Sequence, residues 1–484
     1  MRAGFHTTDI TPAPGMEIPG GFDKVFVRHI HDPLKARAAV FDDDATGTTL
    51  VFLGVDTCEI TSGRIVAPIR RGVEQHCSIP AANVMIAASH THSGGPACHL
   101  LPDEFADAPE MVRDLLGNHA VHADPRYADE LVRQCVAAVG EAYNKRRLAR
   151  LSVGSGREEE VAFNRRFRMK NGRVFTHPGK GNPDIVEPAG PTDPDVGVLA
   201  AWDEAGELLG CVVHFACHCT TFGASGVVSA DYVHYLERTV QGVMGADAGV
   251  VFLSGAAGDV TQVDNQNPRE GEFGATWSRR VGTRVGAEAL KVLATAQPGG
   301  LAPLAVAGRV LSTARRVPGP GRVEECRRRV EEGLRTGGRD TEWQCAKEIL
   351  ILDWLARERP VADVEIQAFQ VGPAVFVANP AEYFAESGLA IKRASPFPFT
   401  FVVTLANGSV GYVPPEHAFD PETGGGYETV LNSYANLEIG AERAIREASI
   451  DLANGFTPGA PPEPPQITEP QPAWSFGARG PERE

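Results

Sequence analysis

Ser89-His90-Thr91-His92-Ser93-Gly94-Gly95 follows the apolar run Val84-Met85-Ile86-Ala87-Ala88, and this junction decides the fold class. An uninterrupted apolar run of that length reads as a strand buried on both faces, as in an open α/β sheet, and such sheets gather ligands and catalytic groups beyond their strand ends. Side chains at i and i+2 of an extended chain share a face, so His90 and His92 can look into one cleft. Two imidazoles there suggest a metal, one as a ligand and the other handling substrate or protons. A pair of hydrogen-bonded loop histidines is the plainer alternative, because a lone His-x-His is weak evidence.

Three further apolar runs end in residues of the same kind. Cys211-Val212-Val213-His214-Phe215-Ala216-Cys217 ends in His218, the run 374–378 leads into Asn379-Pro380-Ala381-Glu382, and the run 399–405 leads through Ala406-Asn407-Gly408 to Gly411-Tyr412. Zinc takes nitrogen and oxygen ligands in a tetrahedron, and catalytic sites keep one position open. No His-Glu-x-x-His spacing is present, so such ligands have to converge through the fold. Each residue also has an ordinary role open to it. Tyr412 suits a packed strand aromatic, and Glu382 suits a first-turn acid of a helix over 381–393. His214 reads as buried, and Cys217 and Cys219 as packed thiols. Asp56 and Asp259, also at strand ends, are candidates for orienting a ligand histidine or for capping a helix or turn.

Apolar strand-like runs near 36–41, 50–55, 84–88, 196–201, 211–215, 250–253, 304–310, 364–370, 374–377 and 400–404 alternate with helix-period segments. The latter lie near 64–75, 126–145, 232–243, 278–293, 323–335, 342–357 and 434–452. The expected fold class is α/β, a layered mixed β-sheet core with flanking helices. With 484 residues, 43% of them hydrophobic, the chain can bury a large core. One domain is expected over 1–455, with a helical insertion at about 319–360 whose charges coat a solvated face, and a Pro-rich tail over 456–484. Residues 156–195 are expected to form a long loop carrying Asn164-Arg165-Arg166 over the cleft.

The 46 basic and 62 acidic residues leave a net charge of -16, which argues against nucleic acid and against attraction to anionic membranes. No apolar run reaches membrane-spanning length, and the N-terminus lacks the apolar core of a signal peptide. Nine cysteines without a Cys-x-x-Cys pair read as intracellular thiols. A cytoplasmic location and no stable membrane association are therefore expected, and homo-oligomerisation is left open.

A set of short motifs carries a resemblance. Ile30-His31-Asp32-Pro33-Leu34-Lys35-Ala36-Arg37-Ala38, the His-Thr-His stretch, Asn164-Arg165-Arg166, Phe215-Ala216-Cys217-His218 and Ser229-Ala230-Asp231 come first. Gly255-Ala256-Ala257-Gly258-Asp259, Asn379-Pro380-Ala381-Glu382 and Asn407-Gly408-Ser409-Val410-Gly411-Tyr412 follow. In this order, over roughly the first 440 residues, the chain resembles the N-terminal catalytic domain of neutral (non-lysosomal) ceramidases and their shorter relatives. The resemblance implies zinc held by His90, His218, Glu382 and Tyr412. It implies His92, Arg165 and Tyr427 as the groups binding the scissile amide and its oxyanion, with an alignment offset at Gly424-Gly425-Gly426-Tyr427-Glu428-Thr429. The implied activity is zinc-dependent hydrolysis of an amide (N-acyl) bond through a zinc-activated water. A zinc-dependent esterase or lactonase is the alternative, and a non-catalytic binding protein with a relic metal site a more distant one. Full ceramidases continue into an immunoglobulin-like domain where this sequence turns Pro-rich. The expected partner is accordingly a small-molecule amide or ester, more soluble than ceramide.

Overall fold

The computed structural model describes residues 1–268, 271–464 and 466–484; residue 465, inside the expected Pro-rich tail, lies outside the described residues. Three mixed sheets share one construction. In each, antiparallel strands end in a single parallel pair. The pairs are Thr48–Val55 with Val84–Ala88, Leu208–Phe215 with Gly249–Ser254, and Ala374–Ala378 with Phe399–Val403. The first sheet runs on through Lys35–Asp43, Arg2–Asp9 and Arg147–Leu148, the second through Asp195–Trp202 and Arg150–Arg157, and the third through Val361–Val371 and Leu304–Ala314.

Alternation along these strands explains why their sequences are apolar without interruption. Phe52, Val212 and Phe376 turn into a core shared by all three sheets, whereas Val51, Val213 and Val377 point to the opposite faces. Phe52 meets Phe369 and Phe376 edge-on, with centroids 5.4 and 4.8 Å away. Helices cover the outer faces. Ala67–Cys77 and Pro125–Asn144 pack on the first sheet, Tyr232–Met244 and Gly274–Thr295 on the second, and Ala385–Ala394 and Ala441–Asn454 on the third. This is the expected α/β class.

Several local expectations give way. Within 156–195, the segments Arg166–Met169, Val174–Thr176 and Ile185–Pro188 form a three-stranded sheet, because Arg165 and Arg166 are anchored in the interior rather than carried on a loop. Glu382 lies in the short strand Ala381–Tyr383, not in a helical first turn; the helix starts at Ala385. The last helix starts at Ala441, since Asn432 to Leu437 is tied into turns and bridges. In the helical pair Pro320–Thr336 and Thr341–Glu358 most charges are solvated, but Lys347 and Glu348 point inward and are buried. Among the described residues, no helix is long and apolar enough to cross a membrane.

Candidate metal centre

The three parallel pairs aim their carboxyl ends at one place. Beyond Val84–Ala88 the chain turns through His90, which sits at φ 65° in the left-handed region. The turn continues beside Cys217 to Thr220, where Thr91 bridges Cys219 and the His92 amide donates to the Cys219 carbonyl at 3.1 Å. That register brings His218 against His90, with ring centroids 4.6 Å apart. Beyond the third sheet, Ala381–Tyr383 pairs in parallel with Gly411–Val413 in a separate two-stranded sheet, so that Glu382 and Tyr412 are direct cross-strand partners and present their side chains on one face.

Both buried histidines spend one ring nitrogen on the backbone. His90 Nδ1 lies 2.7 Å from the Cys58 carbonyl, and His218 Nδ1 lies 2.7 Å from that of Ala257. Carbonyls only accept, so the Nδ1 atoms carry the protons and the Nε2 lone pairs face inward. They converge on Glu382 Oε2 at 3.1 and 3.3 Å, and that buried oxygen has no hydrogen-bond partner. Lone pairs aimed at a carboxylate repel unless a cation sits between them. Ligands bonded to zinc at about 2.0–2.1 Å lie about 3.3 Å from one another in a tetrahedron, which is the spacing found. The residues therefore fit a divalent cation. Tyr412 Oη is 3.5 Å from His218 Nε2 on the same side.

The electrostatics follow from burial and proximity. Burial opposes charge on His90, yet Glu382 and Cys58 hold its imidazole well above the ordinary range, so that a proton takes the place between Nε2 and the carboxylate when no cation does. Burial and then Arg165 push His218 down to about 4. Burial also opposes the Glu382 carboxylate, but the nearness of His90 and His218 keeps it well below the usual range.

Around this group stand the other expected site residues. His92 Nδ1 donates to the Gly20 carbonyl at 2.8 Å, which leaves its Nε2 3.3 Å from that of His90. Gly20 is at φ +108°, and a Cβ there would sit 2.8 Å from the His92 backbone, so only glycine allows this approach. Arg165 reaches the group from behind Tyr412. Its Nη2 donates to Tyr412 Oη at 3.0 Å and to the Gly258 carbonyl at 2.8 Å, while Nε donates to Glu428 at 2.7 Å. Tyr427 stacks near Tyr412, Tyr434 and Phe22 at centroid distances of 5.5 to 5.9 Å. Asp56 and Asp259 touch neither histidine. Asp56 pairs with Arg37 at 2.6 Å, and Asp259 accepts from Asn164 and from the Ala385 amide at the start of a helix. His214 is buried against the Val402 carbonyl, and Cys217 and Cys219 are packed thiols.

A cavity of about 130 Å³ opens in front of His90, His92, Glu382, Tyr412 and Tyr427. Its far wall was not visible in the sequence. Glu59, His99, Ser433 and Glu348 form one hydrogen-bonded chain there, through contacts of 2.7, 3.1 and 2.6 Å. Lys347 clamps the roof by donating to the Phe22 and His119 carbonyls. Glu428, wholly buried between Arg165 and Arg166, was also missed. The adjacent arginines were its one available signal, since two buried guanidinium groups require a carboxylate.

No family model matches the chain. The neutral ceramidase of Pseudomonas aeruginosa is 26% identical over 414 residues, a match covering 75% of this chain. In sequence and fold the chain is similar to neutral ceramidases. It spans 58% of the length of that curated relative. The crystal structure of neutral ceramidase from Pseudomonas aeruginosa superposes with a TM-score of 0.69 at 22% identity, covering 96% of this chain and 76% of that one. A ceramidase complexed with C2 gives 0.68 at 22% identity, over 96% and 77%. The neutral-ceramidase fold thus accommodates nearly the whole of the present chain.

Proposed function

We propose that this protein is a zinc-dependent amidase that cleaves an N-acyl bond, with His90, His218, Glu382 and Tyr412 as the metal ligands. The observation that carries this reading is the convergence of two imidazole lone pairs on the partnerless Glu382 oxygen at 3.1 and 3.3 Å. The likeness to neutral ceramidases supports the reaction class. Zinc bound there would polarise an acyl carbonyl and lower the pKa of an attacking water. The rest of the chemistry falls to the chain. His92, with its proton held at Nδ1 by Gly20, offers Nε2 as an acceptor for the proton that leaves the water, and can then donate it to the departing amine. The Tyr427 hydroxyl supplies a donor for the tetrahedral oxyanion. Arg165 acts through Tyr412, because its hydrogen bond to Oη favours the phenolate a metal needs.

The substrate we assign is a soluble N-acyl compound rather than ceramide, supported by the polar wall of Glu59, His99, Ser433 and Glu348 on the cavity. The catalytic unit is taken as 1–455, with 319–360 as an insertion supplying the roof and 456–484 as a tail. Nine free cysteines support a cytoplasmic setting. Elemental analysis of the purified protein, followed by kinetics on a short soluble amide beside detergent-dispersed ceramide, tests the reading. One zinc per chain and a higher kcat/KM for the soluble amide are expected. A metal-free protein without amidase activity would overturn the function, and a preference for ceramide would overturn the substrate.

A further inference from the structure

A second cavity, of about 140 Å³, backs onto the first, and His99, Leu100, Ser433 and Tyr434 are wall to both. Its charge is of the opposite kind to the carboxylate-bearing wall in front. Three arginines, Arg64, Arg315 and Arg359, line it against a single carboxylate, Glu104. Two of them are already neutralised, Arg64 by Asp129 at 2.7 Å and Arg359 by Glu104 at 2.6 Å. Arg315 is not. Its Nε donates to the Arg359 carbonyl at 3.1 Å and its Nη1 to Asn436 Oδ1 at 2.5 Å, and among the described residues no carboxylate pairs with it. Burial and the facing Arg359 both work against its charge. In the same lining, the buried Thr61 Oγ1 has no hydrogen-bond partner.

A guanidinium without a counter-ion, together with a buried hydroxyl without a partner, in a cavity of surplus positive charge, lacks one thing: an anion with two acceptor oxygens. A carboxylate in that cavity can accept from the Nη protons of Arg315 that Arg359 and Asn436 leave free and, on the same lining, from Thr61, and a hydrogen bond between full charges is among the strongest a protein makes. We infer that the cavity behind His99 and Ser433 is an anion subsite, and that it receives a carboxylate carried by the substrate, so that N-acyl compounds with a free carboxylate are the preferred class. The use of the subsite in turnover rests on the amidase reading above; its existence does not.

The two are separated by testing binding before hydrolysis. Glutarate is titrated calorimetrically into the purified, metal-loaded protein and into Arg315→Gln and Thr61→Val. Wild type binds, Arg315→Gln weakens binding about tenfold or more, and Thr61→Val, which removes a hydroxyl with no partner in the fold, weakens it while melting at or above the wild-type temperature. Kinetics then compare N-hexanoyl-4-aminobutyrate with N-hexanoyl-butylamine. The carboxylate-bearing compound has the higher kcat/KM, the advantage disappears in Arg315→Gln, and glutarate inhibits it competitively. No glutarate binding in wild type, or equal binding in all three proteins, overturns the subsite even if amides are hydrolysed. Activation by glutarate, or equal kcat/KM for the two amides, overturns its assignment to the substrate. Glutarate binding without hydrolysis of either amide leaves the subsite standing and overturns the amidase reading.

Discussion

Replacing Glu428 by Gln keeps the shape of the side chain and removes its charge from a place where water cannot compensate. Glu428 is wholly buried. Its Oε1 accepts from Arg165 at 2.7 Å, its Oε2 faces Arg166 at 3.3 Å, and the Thr176 hydroxyl donates to it at 2.7 Å. In the variant an amide nitrogen faces a guanidinium, and two buried cations lose their shared counter-ion. Breaking a buried pair from one side costs about 3–5 kcal/mol. Unfolding entropy of about 2.1 cal/mol/K per residue, taken over a chain of 484 residues, amounts to about 1 kcal/mol/K. The melting temperature should therefore fall by about 3–5 °C, read by scanning calorimetry. Activity should fall with it, because Arg165 loses the contact that fixes its Nε while it reaches for Tyr412. Glu187→Gln, which breaks the exposed pair with Arg168, serves as the control and should move the melting temperature by less than about 1 °C. If Glu428→Gln melts within about 1 °C of wild type, the argument that this carboxylate neutralises both arginines is wrong.

His90→Ala and His218→Ala should each be isolated without stoichiometric metal; elemental analysis finding one zinc per chain in both would refute the ligand set. His92→Ala should keep its metal yet lose turnover by about 100-fold or more, and a metal-free His92→Ala would show that the two motif histidines have exchanged roles. Asp32 gives a pH dependence of stability. Burial and the like charges of Asp56 and Asp231, against hydrogen bonds from Ser229 and Ala230, raise its carboxyl to about 7. The folded state then holds a proton that the unfolded chain releases near its ordinary value, so the stability Asp32 contributes is fully present below about 4 and is lost as pH rises to about 7, by at most about 4 kcal/mol. Asp32→Asn should remove that decline, and its melting temperature relative to wild type should be a few degrees higher at pH 8 than at pH 4; a constant difference would refute the shift.

What the sequence disclosed and what it hid divide along a physical line. Runs such as 50–55 and 374–378 announced themselves because both faces of their strands are buried, a property written locally in every residue. The strand ends followed from that, and His90, His218, Glu382 and Tyr412 are brought together there. Glu382 was open to a helical reading because Pro380 followed by an acid is how helices begin; its strand exists only through pairing with the distant Gly411–Val413. Pairing of that kind leaves no local signal. The same holds for the His99, Ser433 and Glu348 wall, whose members come from three unrelated parts of the chain. Arg2–Asp9 escaped notice for another reason. Its Phe5, His6, Thr7 and Thr8 are only half-buried, so no apolar run marks it.

His90, His218 and Glu382 follow strands of three different sheets and lie more than a hundred residues apart along the chain. A cation held by all three would close very long chain loops at a single point, as a cross-link does, and long closures remove the most freedom from the unfolded chain. Such an ion would also bind the folded chain far better than the unfolded one, so its affinity would add directly to the stability of the whole domain. Chelation should then be felt far from the cleft, as amide exchange rising in all three sheets together, and metal supply would govern how much folded protein a cell keeps.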